Sequence, residues 1–207
     1  MAVIEYFYSA HSAFAYIGSA RLREIAEAAG AKIIHKPMEL RQVMVAMGGA
    51  TNSMTPQRRA YFSRREIERW AAFRGAPIMR GIPTHHSHDL ARSNGVLIAA
   101  LEAGHDIDEL SHVMLRAHWR DDADLDDDAT LRKIVDEAGL PSGPLVDAAL
   151  TPHIQAIHQQ NTAEAIAKTV FGSPTYFVNG DMFYGQDHLE LVERALVTPF
   201  PNTWPST

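Results

Sequence analysis

The pattern of apolar positions at the start of the chain predicts a β-strand, a helix and a second strand. Residues 3–8 form a short β-branched and aromatic run, typical of a buried strand. Ser12 then occupies a plausible N-cap position, and apolar residues recur at helical spacing until Gly30, a typical helix stop. Residues 31–36 predict another strand. Strands joined in this way are normally parallel, with a right-handed crossover.

The middle of the chain, from about residue 39 to residue 168, predicts helices almost without interruption. The predicted helical stretches are 57–74, 86–103, 106–119, 126–138, 142–150 and 152–168. Strand character returns at residues 174–184, where Asn179-Gly180 is typical of a type I′ hairpin turn. A last helix is predicted at residues 187–197.

The order of these elements, βαβ, a helical block and ββα, is that of a thioredoxin fold. Neither end of the chain supplies enough strands to close a sheet alone, so we predict one mixed sheet built from both ends. The fold class is therefore α/β, thioredoxin-like, with a large all-helical insertion. The predicted thioredoxin-like domain comprises residues 1–38 and 169–207, and the inserted helical domain comprises residues 39–168.

Composition narrows the possible functions. Hydrophobic residues make up 46% of the 207 residues and charged residues 21%, which is typical of a globular protein. The chain has no cysteine, which excludes disulfides, thiolate metal ligands and dithiol redox chemistry. A net charge of −6 without a dense basic cluster argues against a nucleic-acid partner. The start of the chain lacks a basic segment before an apolar run, and no apolar run has the length of a membrane span, so we expect a cytoplasmic protein without a membrane partner.

The thioredoxin topology itself indicates where a functional site would lie. It places a reactive group at the N-terminus of the first helix, opposite a cis-proline loop before the third strand; here these positions hold Ser12 and Ser173-Pro174. A helix N-terminus stabilises an anion such as a thiolate. A cis X-Pro bond exposes the backbone of residue X to an extended peptide ligand. The simpler alternatives are an ordinary N-cap for Ser12 and a strand-start proline for Pro174.

Four segments resemble the 2-hydroxychromene-2-carboxylate isomerases, a family grouped with kappa-class glutathione transferases in the Dsb-like thioredoxin superfamily. Residues 11–16 (His-Ser-Ala-Phe-Ala-Tyr) resemble its Ser-Ser-Pro-Tyr-Ala-Tyr segment, and residues 171–178 resemble its Phe-Gly-Val-Pro-Thr-Phe segment. Residues 182–191 resemble Phe-(Trp/Phe)-Gly-(Gln/Ser)-Asp-Arg-Leu. Asn52 with residues 56–61 resembles Gly-Asn…Pro-x-Lys-x-x-Tyr. The resemblance extends from about residue 3 to residue 197.

This resemblance implies a glutathione-dependent cis–trans isomerase that acts on an aromatic-derived carboxylate through reversible thiolate addition, and it implies a homodimer. Ser12 would hold the glutathione sulfur as a thiolate. The other implied glutathione or substrate contacts are the backbone of Ser173 before Pro174, Gln186 and Asp187 at the γ-glutamyl end, and Asn52 and Arg58 at the glycine end or the substrate. Ala13, Phe14 and Arg58 depart from the proline, tyrosine and lysine of the family.

Two other functions stay open. One is a kappa-type glutathione transferase, which the acceptor pocket would distinguish from an isomerase. The other is a non-catalytic thioredoxin-like binding module that has lost its redox cysteines. A Dsb-type oxidoreductase is excluded because the chain has no cysteine.

Two polar clusters suggest metal sites at first inspection. His85, His86 and His88 lack the i, i+4 spacing of helical zinc ligands, so we interpret them as a polar helix start. The aspartates of residues 121–128 lack the glycine and distal glutamate of a calcium loop, and a helix N-terminus explains most of them. We therefore predict no metal site.

Overall fold

Both ends of the chain contribute to one mixed β-sheet in the computed structural model, which describes residues 1–49 and 55–201. Within these residues the strands have the order β2-β1-β3-β4. β1 pairs parallel with β2 and antiparallel with β3, and β3 pairs antiparallel with β4. The strands are β1 (Val3–Tyr8), β2 (Lys32–Pro37), β3 (Thr175–Val178) and β4 (Asp181–Tyr184). The predicted thioredoxin-like fold class is therefore confirmed.

Helices cover the sheet and fill the region between β2 and β3. In the described residues they are α1 (Ala13–Ala29), α2 (Leu40–Ala46), α3 (Pro56–Ala60), α4 (Ile67–Arg74), α5 (Ala91–Glu102), α6 (Asp108–Asp121), α7 (Asp128–Glu137), α8 (Ser142–Ala148), α9 (Pro152–Ala167) and α10 (Leu189–Val197). A π-helix joins α3 to α4 (Tyr61–Glu66), and a 3₁₀ turn precedes α10 (Gln186–His188). No described helix is long and apolar enough to span a bilayer.

Local sequence signals account for the ends of α1 and for the hairpin. Ser12 caps α1 by accepting a hydrogen bond from the backbone N–H of Ala15, and Gly30 ends the helix with a φ of 57°. Asn179 and Gly180 both have positive φ, as a type I′ turn requires. α1 packs against α4, α6 and α10, which fix its position on the sheet.

The helical region differs from the predictions in three main respects. The helix predicted at 86–103 begins at Ala91, because residues 84–89 form turns and Asp89 accepts a hydrogen bond from the Ala91 N–H at 2.7 Å. The stretch predicted at 57–74 contains the π-helix in its middle. α2 was not predicted; it has only seven residues and is capped by Glu39.

The principal hydrophobic cluster contains residues from the sheet and from the inserted helices. Tyr6 of β1 stacks on Tyr8 and on Tyr176 of β3, with ring centroids 4.1 and 5.3 Å apart. The same cluster includes Val96 of α5 and Leu115 of α6, both buried. The division into a domain of residues 1–38 and 169–207 and an inserted domain stays a prediction.

Candidate active site

Ser12 uses its hydroxyl both to cap α1 and to bind the loop before β3. The oxygen accepts from the Ala15 N–H at 3.2 Å, and the hydroxyl donates to the backbone carbonyl of Ser173 at 3.1 Å. Ser12 and Ser173 are both buried, at 8% exposure, so this bond is largely shielded from solvent. The structure thus brings together the two residues that sequence topology placed at the site.

The segment around Pro174 is connected to its neighbours through backbone and side-chain bonds. The Ser173–Pro174 peptide bond is cis. The Ser173 hydroxyl accepts from the Ser9 N–H at 3.2 Å, which joins this segment to the loop before α1. The Gly185 N–H donates to the Pro174 carbonyl at 2.9 Å. This bond joins the segment that carries Gln186 and Asp187 to the cis-proline, although neither of these two residues lines the cavity described below.

Gln186 and Asp187 lie in that region but have different surroundings. The Gln186 side chain is buried, and its carbonyl accepts from Arg74 Nε at 3.1 Å. It also packs on Gly18 of α1, where an added Cβ would lie 2.6 Å from the Gln186 Cβ. The Asp187 carboxylate is about half exposed, with His188 Nδ1 at 3.5 Å. Asp187 is therefore accessible to a ligand, whereas the Gln186 side chain is already bound by Arg74.

Of the two remaining predicted site residues, the structure describes only Arg58. Asn52 lies outside the described residues. Arg58 is exposed on α3, with its guanidinium 5.8 Å from the centre of the Phe62 ring. Phe62 lines the cavity beside Ser12, but Arg58 does not.

That cavity has a volume of about 460 Å³ and is lined by Ser12, Ser173 and a largely apolar wall. The apolar wall is formed by Phe14, Leu40, Met44, Phe62, Ile67 and Ile82. Arg41, exposed on α2, adds a positive charge to it. Ser63, Ile67 and Ile82 also line a second cavity of about 740 Å³, so the two spaces adjoin. Together they offer a largely apolar chamber, with Arg41 on the wall of the first cavity and Arg64, Glu68 and Arg80 on that of the second, and it is large enough for a fused-ring carboxylate.

The loop that carries Ser12 is fixed by a side chain that sequence reasoning missed. Asn94 of α5 is fully buried; its Oδ1 accepts from the Ala10 N–H, and its Nδ2 donates to the Met38 carbonyl, both at 3.1 Å. Its Nδ2 also lies 3.1 Å from Nε2 of the buried His158. A single asparagine within an apolar helix has no spacing signal that would identify it beforehand.

The turns before α5 bring histidines to the wall of the cavity. His86 Nδ1 lies 3.0 Å from Nε2 of His118 in α6, and the ring of His118 stacks on that of His11 with centroids 4.4 Å apart. His11 and His86 line the cavity. His88 also lines the cavity, and its Nδ1 lies 2.9 Å from the Asp124 carboxylate. The predicted polar helix start at residues 85–88 is wrong, because these residues precede the helix and are held in turns by tertiary contacts.

Comparison with known proteins agrees with this architecture. Residues 3–197 match the DsbA-like thioredoxin domain family. The 2-hydroxychromene-2-carboxylate isomerase of Sphingobium xenophagum is 26% identical over 199 residues, which cover 94% of this chain and 97% of that protein. Among solved structures, a 2-hydroxychromene-2-carboxylate isomerase superposes with a TM-score of 0.79 at 21% identity, covering 94% of each chain. The cytosolic disulfide reductase DsbM of Pseudomonas aeruginosa with GSH superposes with a TM-score of 0.63 at 18% identity, covering 95% and 93%.

Proposed function

Because the chain belongs to the DsbA-like thioredoxin domain family, we propose that it is a glutathione-dependent isomerase of the 2-hydroxychromene-2-carboxylate isomerase type. The observation that carries the proposal is the hydrogen bond from the Ser12 hydroxyl to the Ser173 carbonyl, at the N-terminus of α1, in a chain without cysteine. The relatives with this name cover nearly the whole chain, which supports the same chemistry here.

Glutathione binding would exchange hydrogen bonds at Ser12. The cysteinyl N–H of glutathione would donate to the Ser173 carbonyl, which now accepts from Ser12. The released Ser12 hydroxyl would then donate to the glutathione sulfur. The unpaired N–H groups of the first turn of α1 add a partial positive charge there, so the bound sulfur would be held as a thiolate. Asp187 would accept from the γ-glutamyl ammonium, for which a carboxylate is the natural partner.

The proposed reaction is a cis–trans isomerisation about a conjugated double bond. The thiolate adds to one carbon of that bond, so a C–S bond forms while the π electrons move into the conjugated carbonyl system. The former double bond is then single and rotates. Collapse of the enolate restores the double bond and expels the thiolate, so glutathione is recovered and nothing is oxidised or reduced. The enzyme's task is to keep the nucleophile ionised and the substrate oriented.

The adjoining cavities support an aromatic-derived carboxylate as the substrate class. Their shared wall of Ser63, Ile67 and Ile82 would contact the ring system. Arg41, on the wall of the cavity beside Ser12, is the residue that we propose to bind the substrate carboxylate. Asn52 and Arg58 stay predictions for the glycine end of glutathione or for the substrate.

A direct test combines binding and turnover. Calorimetric titration with glutathione should show one site per chain, and the purified protein should interconvert 2-hydroxychromene-2-carboxylate and its ring-opened isomer only when glutathione is present. Arg41→Gln should raise the KM for the carboxylate while leaving glutathione affinity unchanged, with Arg132→Gln on the distant α7 as a matched control. Isomerisation at the same rate without glutathione would contradict the proposal. Glutathione binding with conjugation of electrophiles but no isomerisation would instead identify a transferase.

A further inference from the structure

Three histidines from separate parts of the chain meet next to the cavity beside Ser12, and the proposed reaction uses none of them. His11 comes from the loop before α1, His86 from the turns before α5, and His118 from α6. One candidate ligand nitrogen of each lies within 4.8 Å of the others. His86 Nδ1 and His118 Nε2 are 3.0 Å apart.

His11 is the least explained member of this cluster. It is 5% exposed, and among the described residues neither of its ring nitrogens has a partner in good hydrogen-bonding geometry, although the backbone of His86 lies close enough to raise its pKa. Its backbone carbonyl accepts from Trp119 Nε1 at 2.9 Å, which fixes the loop and leaves the ring unpaired. A buried polar group without a well-formed hydrogen bond is costly, so a ligand on this imidazole would satisfy a group that the protein leaves poorly paired.

The three imidazoles share a buried environment that lowers the pKa of each. Burial, together with the neighbouring His118 and His86, lowers the pKa of His11 to about 3. Burial also lowers the pKa of His118 to about 4. Burial and the positive charge of Arg41 both lower the pKa of His86. The negative charges of Asp122 and Asp124 act in the opposite direction on His118 and raise its pKa.

Hydrogen bonding orients the lone pair of His118. Its Nδ1 lies 3.0 Å from the Ala123 carbonyl and therefore carries the proton, so the lone pair of Nε2 points towards His86. A backbone carbonyl in this position is a common support for a metal-binding histidine. His86 becomes a second ligand when its proton moves from Nδ1 to Nε2.

We propose that His11, His86 and His118 bind a divalent transition-metal ion, with Zn²⁺ as the best match. Three neutral imidazoles without oxygen ligands favour zinc and its neighbours over calcium or magnesium. Tetrahedral Zn–N bonds of about 2.0–2.1 Å place ligand nitrogens roughly 3.3 Å apart, close to the separation of His86 and His118. His11 and His86 line the cavity, so the fourth position would open towards it.

A second cluster next to the first provides the matched control. The Asp124 carboxylate lies 2.9 Å from His88 Nδ1 and 3.5 Å from His85 Nδ1. Asp124 also accepts from the Asp126 N–H at 3.0 Å. These groups are more exposed and already have partners, so the proposal assigns the ion to the three histidines. His153, which is exposed on α9 and paired with Glu102, is a control for surface histidines.

The test uses untagged protein stripped with a chelator and titrated with Zn²⁺ by calorimetry and against a chromophoric indicator. We expect one ion per chain with a Kd tighter than about 1 μM. His86→Asn and His11→Asn should each weaken binding at least about 100-fold, and substituted Co²⁺ should lose its visible d–d absorption in both variants. His88→Asn and His153→Asn should retain the affinity of the wild type.

His118 is fully buried, so the folded fraction of His118→Asn is measured before its zinc affinity. If that variant does not fold, His86→Asn and His11→Asn still test the proposal. Zn²⁺ should raise the Tm of the wild-type protein but not that of His86→Asn. Wild-type protein that binds no zinc stoichiometrically would overturn the proposal. Zinc binding that persists in His11→Asn and His86→Asn would also overturn the proposal, as would zinc binding that is lost in His88→Asn alone.

Discussion

Replacing Ser12 by alanine tests the proposed role of its hydroxyl most directly. The change removes the bond that caps α1 at Ala15 and the bond to the Ser173 carbonyl. A lost N-cap costs about 1 kcal/mol, and a lost neutral hydrogen bond costs roughly 0.5–1.5 kcal/mol. We therefore expect the glutathione-free protein to fold with a free energy of unfolding lower by about 2 kcal/mol.

The same substitution should separate glutathione binding from glutathione ionisation. In the wild type, the ligand must displace the Ser12 hydroxyl from the Ser173 carbonyl, whereas in Ser12→Ala that carbonyl is already free. Glutathione then avoids the cost of displacing the hydroxyl, and this offsets part of the lost hydroxyl–sulfur bond. The Kd for glutathione should therefore change less than about 10-fold. The pKa of the bound thiol should rise, and turnover at neutral pH should fall about 10- to 1,000-fold, as on loss of one anion-stabilising donor.

The assays are calorimetry for the Kd, ultraviolet thiolate absorbance against pH for the bound thiol, and kcat against pH for turnover. Activity of Ser12→Ala should recover partly at high pH, because the thiol then ionises without help. Asp127→Ala, which removes the cap of α7 away from the site, controls for the loss of a helix cap. An unchanged thiol pKa together with unchanged kcat in Ser12→Ala would refute the reasoning and leave Ser12 as a helix cap only.

Three further predictions follow from other residues. Asp187→Ala should weaken glutathione binding about 10- to 100-fold by calorimetry, since it removes a charge-assisted bond, while Asp181→Ala should not. Burial lowers the pKa of His158, so the unfolded chain takes up a proton at a higher pH than the folded protein. The contribution of His158 to stability is therefore complete above the unfolded pKa of about 6.5 and falls as the pH drops below it. In denaturant titrations, His158→Gln should lose less stability in acid than the wild type does, and an equal loss would contradict this. We also expect a homodimer, which the family resemblance implies and in which Phe73, 74% exposed here, would be covered; a monomer at micromolar concentration in sedimentation velocity would refute this.

The sheet and the first helix could be predicted because their signals are local. Strand runs, the Asn179-Gly180 turn and the Ser12 and Gly30 caps each depend on neighbouring residues only. The contact between Ser12 and Ser173 could also be predicted, because the thioredoxin topology brings these two residues together although they are 161 positions apart in the sequence.

The remaining features of the site depend on contacts that no spacing reports. Asn94 reaches Ala10 across 84 positions, and His86 reaches His118 across 32, so neither pairing leaves a periodic trace. Arg41 lies on a seven-residue helix that is too short to show helical periodicity. The resemblance suggested Gln186 as a ligand contact, yet Arg74 occupies its side-chain carbonyl.

The sheet assembled from both ends of the chain has a consequence for biosynthesis. β1 leaves the ribosome first, but its antiparallel partner β3 begins only at Thr175. During most of translation, one edge of the nascent β1–β2 pair therefore lacks its native neighbour and offers unpaired N–H and C=O groups to other chains. Such late closure slows folding, because its contacts span most of the chain. Production of this protein should consequently depend on chaperone capacity and temperature more than its final stability alone would indicate.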